Sequence, residues 1–154
     1  MKPQQLQSEA VSRQFSTFFV QDLFFGIEVL EVQEVLRYQE MTKVPLAPDL
    51  IEGLINLRGQ IVTAIDMRRR LRLEPRKPGE TPMNMVVRSD DGAVSLLVDE
   101  IGDVLEVDDA TFEPPPETLG GVARELIRGA YKLDDRLLLA LDTEKAINPP
   151  TEAG

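Results

Sequence analysis

The stretch GLINLRGQIVTAIDM, residues 53–67, sets two apolar runs on either side of one Arg-Gly step. Gly59 can take a positive φ without steric cost, which suits the tip of a tight turn. Residues 54–57 and 60–66 then read as two strands of a hairpin, with Arg58 holding a fixed cation at its tip. Runs this short, punctuated this closely, belong to a chain of strands rather than of long helices.

Upstream, QFSTFFVQDLFFGIEV repeats the pattern. Phe15, Thr17 and Phe19 alternate with Ser16, Phe18 and Val20. Gln21-Asp22 is a turn, and Phe24 to Val29 a second strand. Five of the six phenylalanines fall in this hairpin and mark core. In VLEVQEVLRYQE (29–40), Val29, Val32, Val35 and Leu36 fit a helical face, while the β-branched content favours a strand. A short helix or a bent strand is expected there. Pro48-Asp49 is expected to open a single helical turn ending at Gly53, and Met67 to Leu73 a short helix.

Downstream, EPRKPGETP (74–82) is a Pro/Gly-rich connection and the best internal boundary. MNMVVRS, the Asp90-Asp91-Gly92 turn and AVSLLVDEI form a hairpin. DVLEV (103–107) is another strand. FEPPPETLGG is a surface loop, because prolines cannot donate to a ladder. IRGAYKL, Asp134-Asp135-Arg136 and LLLALD make a last hairpin, and Thr143 to Ile147 a short helix. Nine or ten strands predict an all-β fold with a few short helices. Each half is SH3-sized, so the expectation is two five-stranded SH3-like β-barrel subdomains within one domain over 14–148, divided near 74–82. Residues 1–13 and 149–154 read as flexible tails.

Composition closes much of the enzyme space. The 154 residues include no cysteine and no histidine. Thiolate nucleophiles, Ser-His-Asp triads, His or Cys metal ligation and a phosphorylatable His are therefore excluded. No Gly-rich phosphate loop or nucleophile elbow is present. The net charge of −10 disfavours nucleic acid. No apolar run is long enough for a transmembrane helix, and the first residues lack the apolar core of a secretory signal. The acidic segment 99–117, with eight carboxylates, reads as a solvated face rather than a metal site. The patch RRRLRLEPRK (68–77) reads as solvated surface or a contact for an acidic partner. Glu34, an acid inside an apolar stretch, is a candidate partner for Arg58, since an Arg–carboxylate fork fixes geometry.

FFGIEVLEVQEVLRY, IEGLINLRGQIVTAIDMRRRL, VSLLVDEIGDVLEV and IRGAYKLDDRLLLALDTEKAI, in this order, resemble the bacterial chemotaxis coupling proteins of the CheW family. The resemblance covers about residues 14–148. It implies a non-enzymatic adaptor, without cofactor or metal, that couples transmembrane chemoreceptors to the histidine kinase CheA in signalling arrays. The implied partners are the regulatory domain of that kinase and the cytoplasmic tip of methyl-accepting chemoreceptors, with no nucleic acid and no direct membrane insertion. The implied location is the cytoplasm, at membrane-associated arrays. For receptor binding the resemblance implies Val32, Glu34, Val35, Gly53, Arg58, Ile61 and Ile65, with Glu34 and Arg58 as paired charges. For kinase binding it implies Ile101, Val104 and Gly129. Ser95, where the family often has Gly, and the Pro-rich loop 112–117 depart from the pattern. The alternatives are a paralogue serving a non-flagellar system, for surface motility or second-messenger control, and a CheW-like domain of a larger adaptor. A carboxylate enzyme is the third alternative.

Overall fold

The computed structural model describes residues 12–90 and 92–148. The alternating phenylalanines form β1 (Ser12–Val20), which turns through Gln21-Asp22 into β2 (Leu23–Glu28). Segment 29–40 resolves into both forms expected of it: one 3-10 turn, Val29–Glu31, and then β3 (Val32–Leu36). The central hairpin is β4 (Ile51–Leu57) and β5 (Gln60–Asp66), followed by α1 (Met67–Arg70). Next come β6 (Met83–Ser89), β7 (Gly92–Val98), β8 (Glu100–Asp108) and β9 (Phe112–Glu113). The chain then forms α2 (Gly121–Leu126), β10 (Ile127–Lys132), β11 (Leu137–Leu141) and α3 (Thr143–Ile147).

The strands make two sheets, one of six in the order β8-β1-β2-β11-β10-β9 and one of five in the order β3-β6-β7-β5-β4. Two expectations change. The sheets do not divide at 74–82, because β1 and β2 join the C-terminal strands while β6 and β7 join β3–β5. The chain instead crosses between sheets at 29–31 and at Asp99. The 74–82 connection only links α1 to β6 within one sheet. Its composition marks a loop, but strand partners are chosen by apolar faces, and β1 pairs with β8 along almost its whole length. The crossing at Asp99 also breaks the expected AVSLLVDEI strand into β7 and β8.

Other local differences have similar causes. No helical turn forms before Gly53. Pro48 O accepts from the Ile51 amide at 3.0 Å in a tight turn, and Thr42 and Leu54 exchange backbone hydrogen bonds of 2.9 and 2.8 Å. Cross-strand bonds outweigh an isolated helical turn, whose nucleation is unfavourable. Phe112-Glu113 pairs with Tyr131 and Ala130 instead of looping free. The unanticipated α2 buries Ala123 and Leu126. Ser12 and Arg13, expected in the tail 1–13, lie in β1. Residues 1–11, Asp91 and 149–154 lie outside the described residues.

Burial is divided three ways. Phe15, Phe24, Val107, Tyr131 and Leu138 form a core on the six-stranded side. Ile55, Leu57, Val62, Val86 and Leu97 form one on the five-stranded side. Between the sheets lies the largest, which takes Phe18, Phe25 and Ile27 from one sheet and Ile65, Met85, Val87 and Leu96 from the other. The two faces of β1 thus serve two cores, which is why the hairpin needs so many aromatic side chains.

Candidate functional site

The inter-sheet core is not closed. Val32, Val94 and Ile101 pack on it while staying half-buried. Val94 pairs with Thr63, so Ile61, two residues away on β5, shares that face of its sheet and is 61% exposed. Ile27 pairs with Ser16, and Ser16 with Val104, which puts Val104 on the junction face of the other sheet at 57% exposure. Val35 pairs with Met85 of the same core and is also exposed. An apolar seam therefore runs from the buried junction out to solvent along both sheets. Apolar surface placed there favours association with another apolar surface.

The Glu34–Arg58 ion pair lies next in sequence to Val35 and three residues from Ile61 of the seam, although Glu34 itself faces the Val86 side of its sheet. Arg58 and Gly59 both have positive φ, 51° and 90°, so the β4–β5 tip is a two-residue turn of the kind that matches strand twist. Asn56 Oδ1 accepts from the Gly59 amide at 2.9 Å and steadies it. Glu34 stands opposite Val86 and is mostly covered, whereas the Arg58 side chain is 69% exposed. A fork held this way can meet a partner's polar groups without rearrangement.

The crossing at 29–31 that delivers Val32 and Glu34 is clamped. Arg88 Nη1 donates to Leu30 O at 3.0 Å and to Val32 O at 2.9 Å. Thr143 Oγ1 donates to Glu31 Oε1 at 2.9 Å, and Arg128 lies 3.8 Å from the other Glu31 oxygen. Arg88 gave no signal in the sequence, since its acceptors are backbone carbonyls.

Three candidate residues sit elsewhere than expected. Ile65 is only 4% exposed and belongs to the junction core, so it supports the seam from behind and does not line it. Gly53 is buried in β4, where a Cβ would come within 2.8 Å of Thr42 O and 3.0 Å of Met41 Cβ. Gly129 is buried in β10, where a Cβ would meet the Phe112 ring at 2.4 Å and Glu113 O at 2.5 Å. Both glycines admit a neighbouring segment rather than offer a surface. Ile101 packs on the same core as Val32, so it does not stand on a face separate from the receptor-assigned residues.

The basic patch is largely occupied within the chain. Arg68 pairs with Asp99 at 2.7 Å, and Arg76 with Asp66 at 3.0 Å and Asp99 at 3.1 Å. Arg69 reaches Glu52 at 3.2 Å, and Arg70 donates to Ala146 O and Lys145 O. Burial pushes the Asp99 carboxyl up, but hydrogen bonds from Arg68 and the Gln21 amide, with the Arg76 charge, hold it below the usual carboxylate range. The Asp99 bond raises Arg68 in turn, while burial lowers Arg70. This network welds the β5–α1 corner, the 74–82 connection and the β7–β8 crossing. It sits outside the seam.

Among the described residues no group of three or more acidic side chains converges as metal ligands would. No described helix is long and apolar enough to cross a membrane. What the geometry provides is a binding surface: an apolar seam, a fixed ion pair beside it and a clamped crossing behind it.

The model of the CheW-like domain family matches residues 14–150. Chemotaxis protein CheW of Klebsiella aerogenes is 32% identical over 143 residues, covering 93% of this chain and 86% of that protein. A probable chemotaxis protein CheW of Rhizobium etli is 30% identical over 132 residues, covering 86% and 85%. The crystal structure of scaffolding protein TtCheW from Thermoanaerobacter tengcongensis superposes with a TM-score of 0.76 at 28% identity, covering 85% of this chain and 89% of that one.

Proposed function

This chain belongs to the CheW-like domain family, and on that premise we propose that it is a chemotaxis adaptor coupling the cytoplasmic tip of transmembrane chemoreceptors to the histidine kinase CheA. The observation that carries this reading is the open junction: Val32, Val94 and Ile101 half-buried on the inter-sheet core, with Ile61 and Val104 exposed beyond them. A receptor helix laid along that seam buries one apolar stripe, in helix-in-groove fashion. The Glu34–Arg58 fork beside it sets register and polarity. The regulatory domain of the kinase takes further surface on the six-stranded side, which brings the chain to membrane-associated arrays through its partners.

The chain contributes contacts and no bond-making step. Interfaces of about 800 Å² per partner or less are reversible one at a time. Held side by side in an array, they add through high effective concentration. A signal passes as a small change in how the adaptor holds the kinase, a coupling of about 1–3 kcal/mol. The test is reconstitution. Kinase autophosphorylation is measured with receptor-bearing vesicles, CheA and this chain, each omitted in turn. Receptor-dependent activity that needs all three supports the reading. Activity unchanged by leaving the chain out, with no co-sedimentation of the chain with either partner, overturns it.

A further inference from the structure

The longest unprotected feature of the fold is one edge of β8. Among the described residues β8 pairs only with β1, over a register that runs from Glu100 to Asp108, and it ends the order of the six-stranded sheet. Every second backbone N–H and C=O along its outer side is left for solvent or for another strand. Only Val107 of its nine residues is buried. An edge this long is a template for pairing unless charge guards it.

Charge does guard it, and with one sign. Glu100, Asp103, Glu106 and Asp108 are exposed along β8, and the strand has no Lys or Arg. Glu106 accepts from Ser12 Oγ at 2.7 Å and Asp108 caps the following turn, but both keep free acceptor capacity. Pairing of two β8 edges would bring four carboxylates against four in a chain of net charge −10. That sign pattern rejects a second copy and accepts a basic strand. Val104, between Asp103 and the Glu106 position, offers an apolar contact for an alternate side chain.

We infer that the outer edge of β8 is a strand-addition site for an extended segment of another protein that carries Lys or Arg at alternate positions. Main-chain hydrogen bonds supply the affinity and the carboxylates supply selectivity and register. The edge adjoins the seam through Ile101 and Val104, but it offers outward backbone groups in the plane of the sheet rather than an apolar face, so the inference does not rest on which macromolecules the seam takes.

The probe is a ten-residue peptide of alternating Arg and Thr, used with the full chain at low salt. Amide hydrogen exchange read by NMR is expected to slow at least tenfold at the outward-facing amides of residues 100–108, those not already bonded to β1. The amides of the β4–β5 hairpin should stay unchanged. A charge-reversed peptide, with Glu for Arg, should give no protection. The same basic peptide with its backbone N-methylated throughout keeps the charge and loses every donor, and it should bind at least tenfold more weakly. The D103K/E106K chain should lose most of the response. Unslowed exchange in β8, or binding by the N-methylated peptide within twofold of the parent, overturns the inference and leaves the edge as a charge-protected strand only.

Discussion

Glu34 and Arg58 join the two ends of one sheet: Glu34 lies on β3, the first strand in its order, and Arg58 on the turn that closes β4, the last. The ion pair is therefore a clasp across a curled sheet and a neighbour of the seam at once. With the Arg58 side chain 69% exposed, solvent screening leaves such a pair about 0–1 kcal/mol of stability. Arg58→Ala is expected to move thermal unfolding little and to impair receptor-dependent kinase control severely. A charge swap, Glu34→Arg with Arg58→Glu, should restore the melting temperature but not coupling, because the partner sees the reversed fork. Full coupling in Arg58→Ala would remove the fork from the mechanism.

The seam separates binding from folding. Val104→Lys places a charge at a position already 57% exposed, so unfolding should change by under about 0.5 kcal/mol while affinity for partners falls. Ile65→Lys puts the same charge into the junction core at 4% exposure and should leave no folded protein. Pull-down with CheA and with receptor fragments, run separately on Val104→Lys and Ile61→Lys, reads which partner uses which side. Unaltered capture of both partners by both variants would rule the seam out.

The Asp99 network makes stability depend on acid. Its folded-state carboxyl titrates below the ordinary value of 3.8, held there by Arg68, the Gln21 amide and Arg76 despite burial. A depressed folded value means the unfolded chain takes up the proton first. The stabilisation is thus fully present above the unfolded value near 3.8 and is lost as pH falls through the folded one. Asp99→Asn should therefore unfold more easily at neutral pH, by about 3 kcal/mol, since Arg68 is left half-buried without its acid and Arg76 keeps only Asp66. Its midpoint in urea should also fall less steeply below pH 4 than that of the parent. Parallel pH profiles would count against the network.

Buried glycines test a different role from surface contact. Gly129→Ala drives a Cβ against the Phe112 ring and the Glu113 carbonyl, so β9 must move off β10. The expected cost is about 1–3 kcal/mol, as for other overpacked sites. Faster amide exchange should appear at Phe112 and Glu113, before any change at the seam. Any loss of kinase binding should then scale with the displaced strand, and a Phe112→Ala second change should relieve part of it. Stability equal to the parent would mean the segment yields freely.

The hairpins were legible because their signals are local: Gln21-Asp22 and Arg58-Gly59 sit between alternating or apolar runs, and each is a turn. Sheet membership was not, since β1 and β8 meet across more than eighty residues of chain and no local pattern encodes that choice. A separation of 31 residues, across the crossing between the sheets, likewise hid Asp99 as the acid for Arg68, and so left the 68–77 patch looking free. The burial of Ile65 and Gly129 was not legible, because which face of a strand is covered depends on the other sheet, or on a two-residue strand that composition reads as loop. The Glu34–Arg58 pair was readable from residue type, an acid and a cation in neighbouring apolar runs, reinforced by family resemblance.

Arg88 is the positioning residue that neither pattern nor resemblance supplied. Its guanidinium bonds the carbonyls of Leu30 and Val32 and thereby fixes the strand entry that aims Val32 at the seam and sets Glu34, on the opposite face, toward Arg58. Hydrogen bonds to a charged donor contribute about 1.5–3 kcal/mol, and the lower end applies to an exposed side chain. Arg88→Ala should cost about 1.5 kcal/mol in urea unfolding, and methyl NMR should show Val32 in more than one environment. Arg88→Lys keeps the charge but not the planar fork, and should recover the stability only in part. A merely electrostatic Arg88 would be rescued by Lys in full, with a single Val32 signal. A positioning Arg88 leaves receptor coupling weakened in both variants, and adding either change to Arg58→Ala should reduce coupling no further than Arg58→Ala alone, because Arg88 acts through the placement of the residue that Arg58 pairs with.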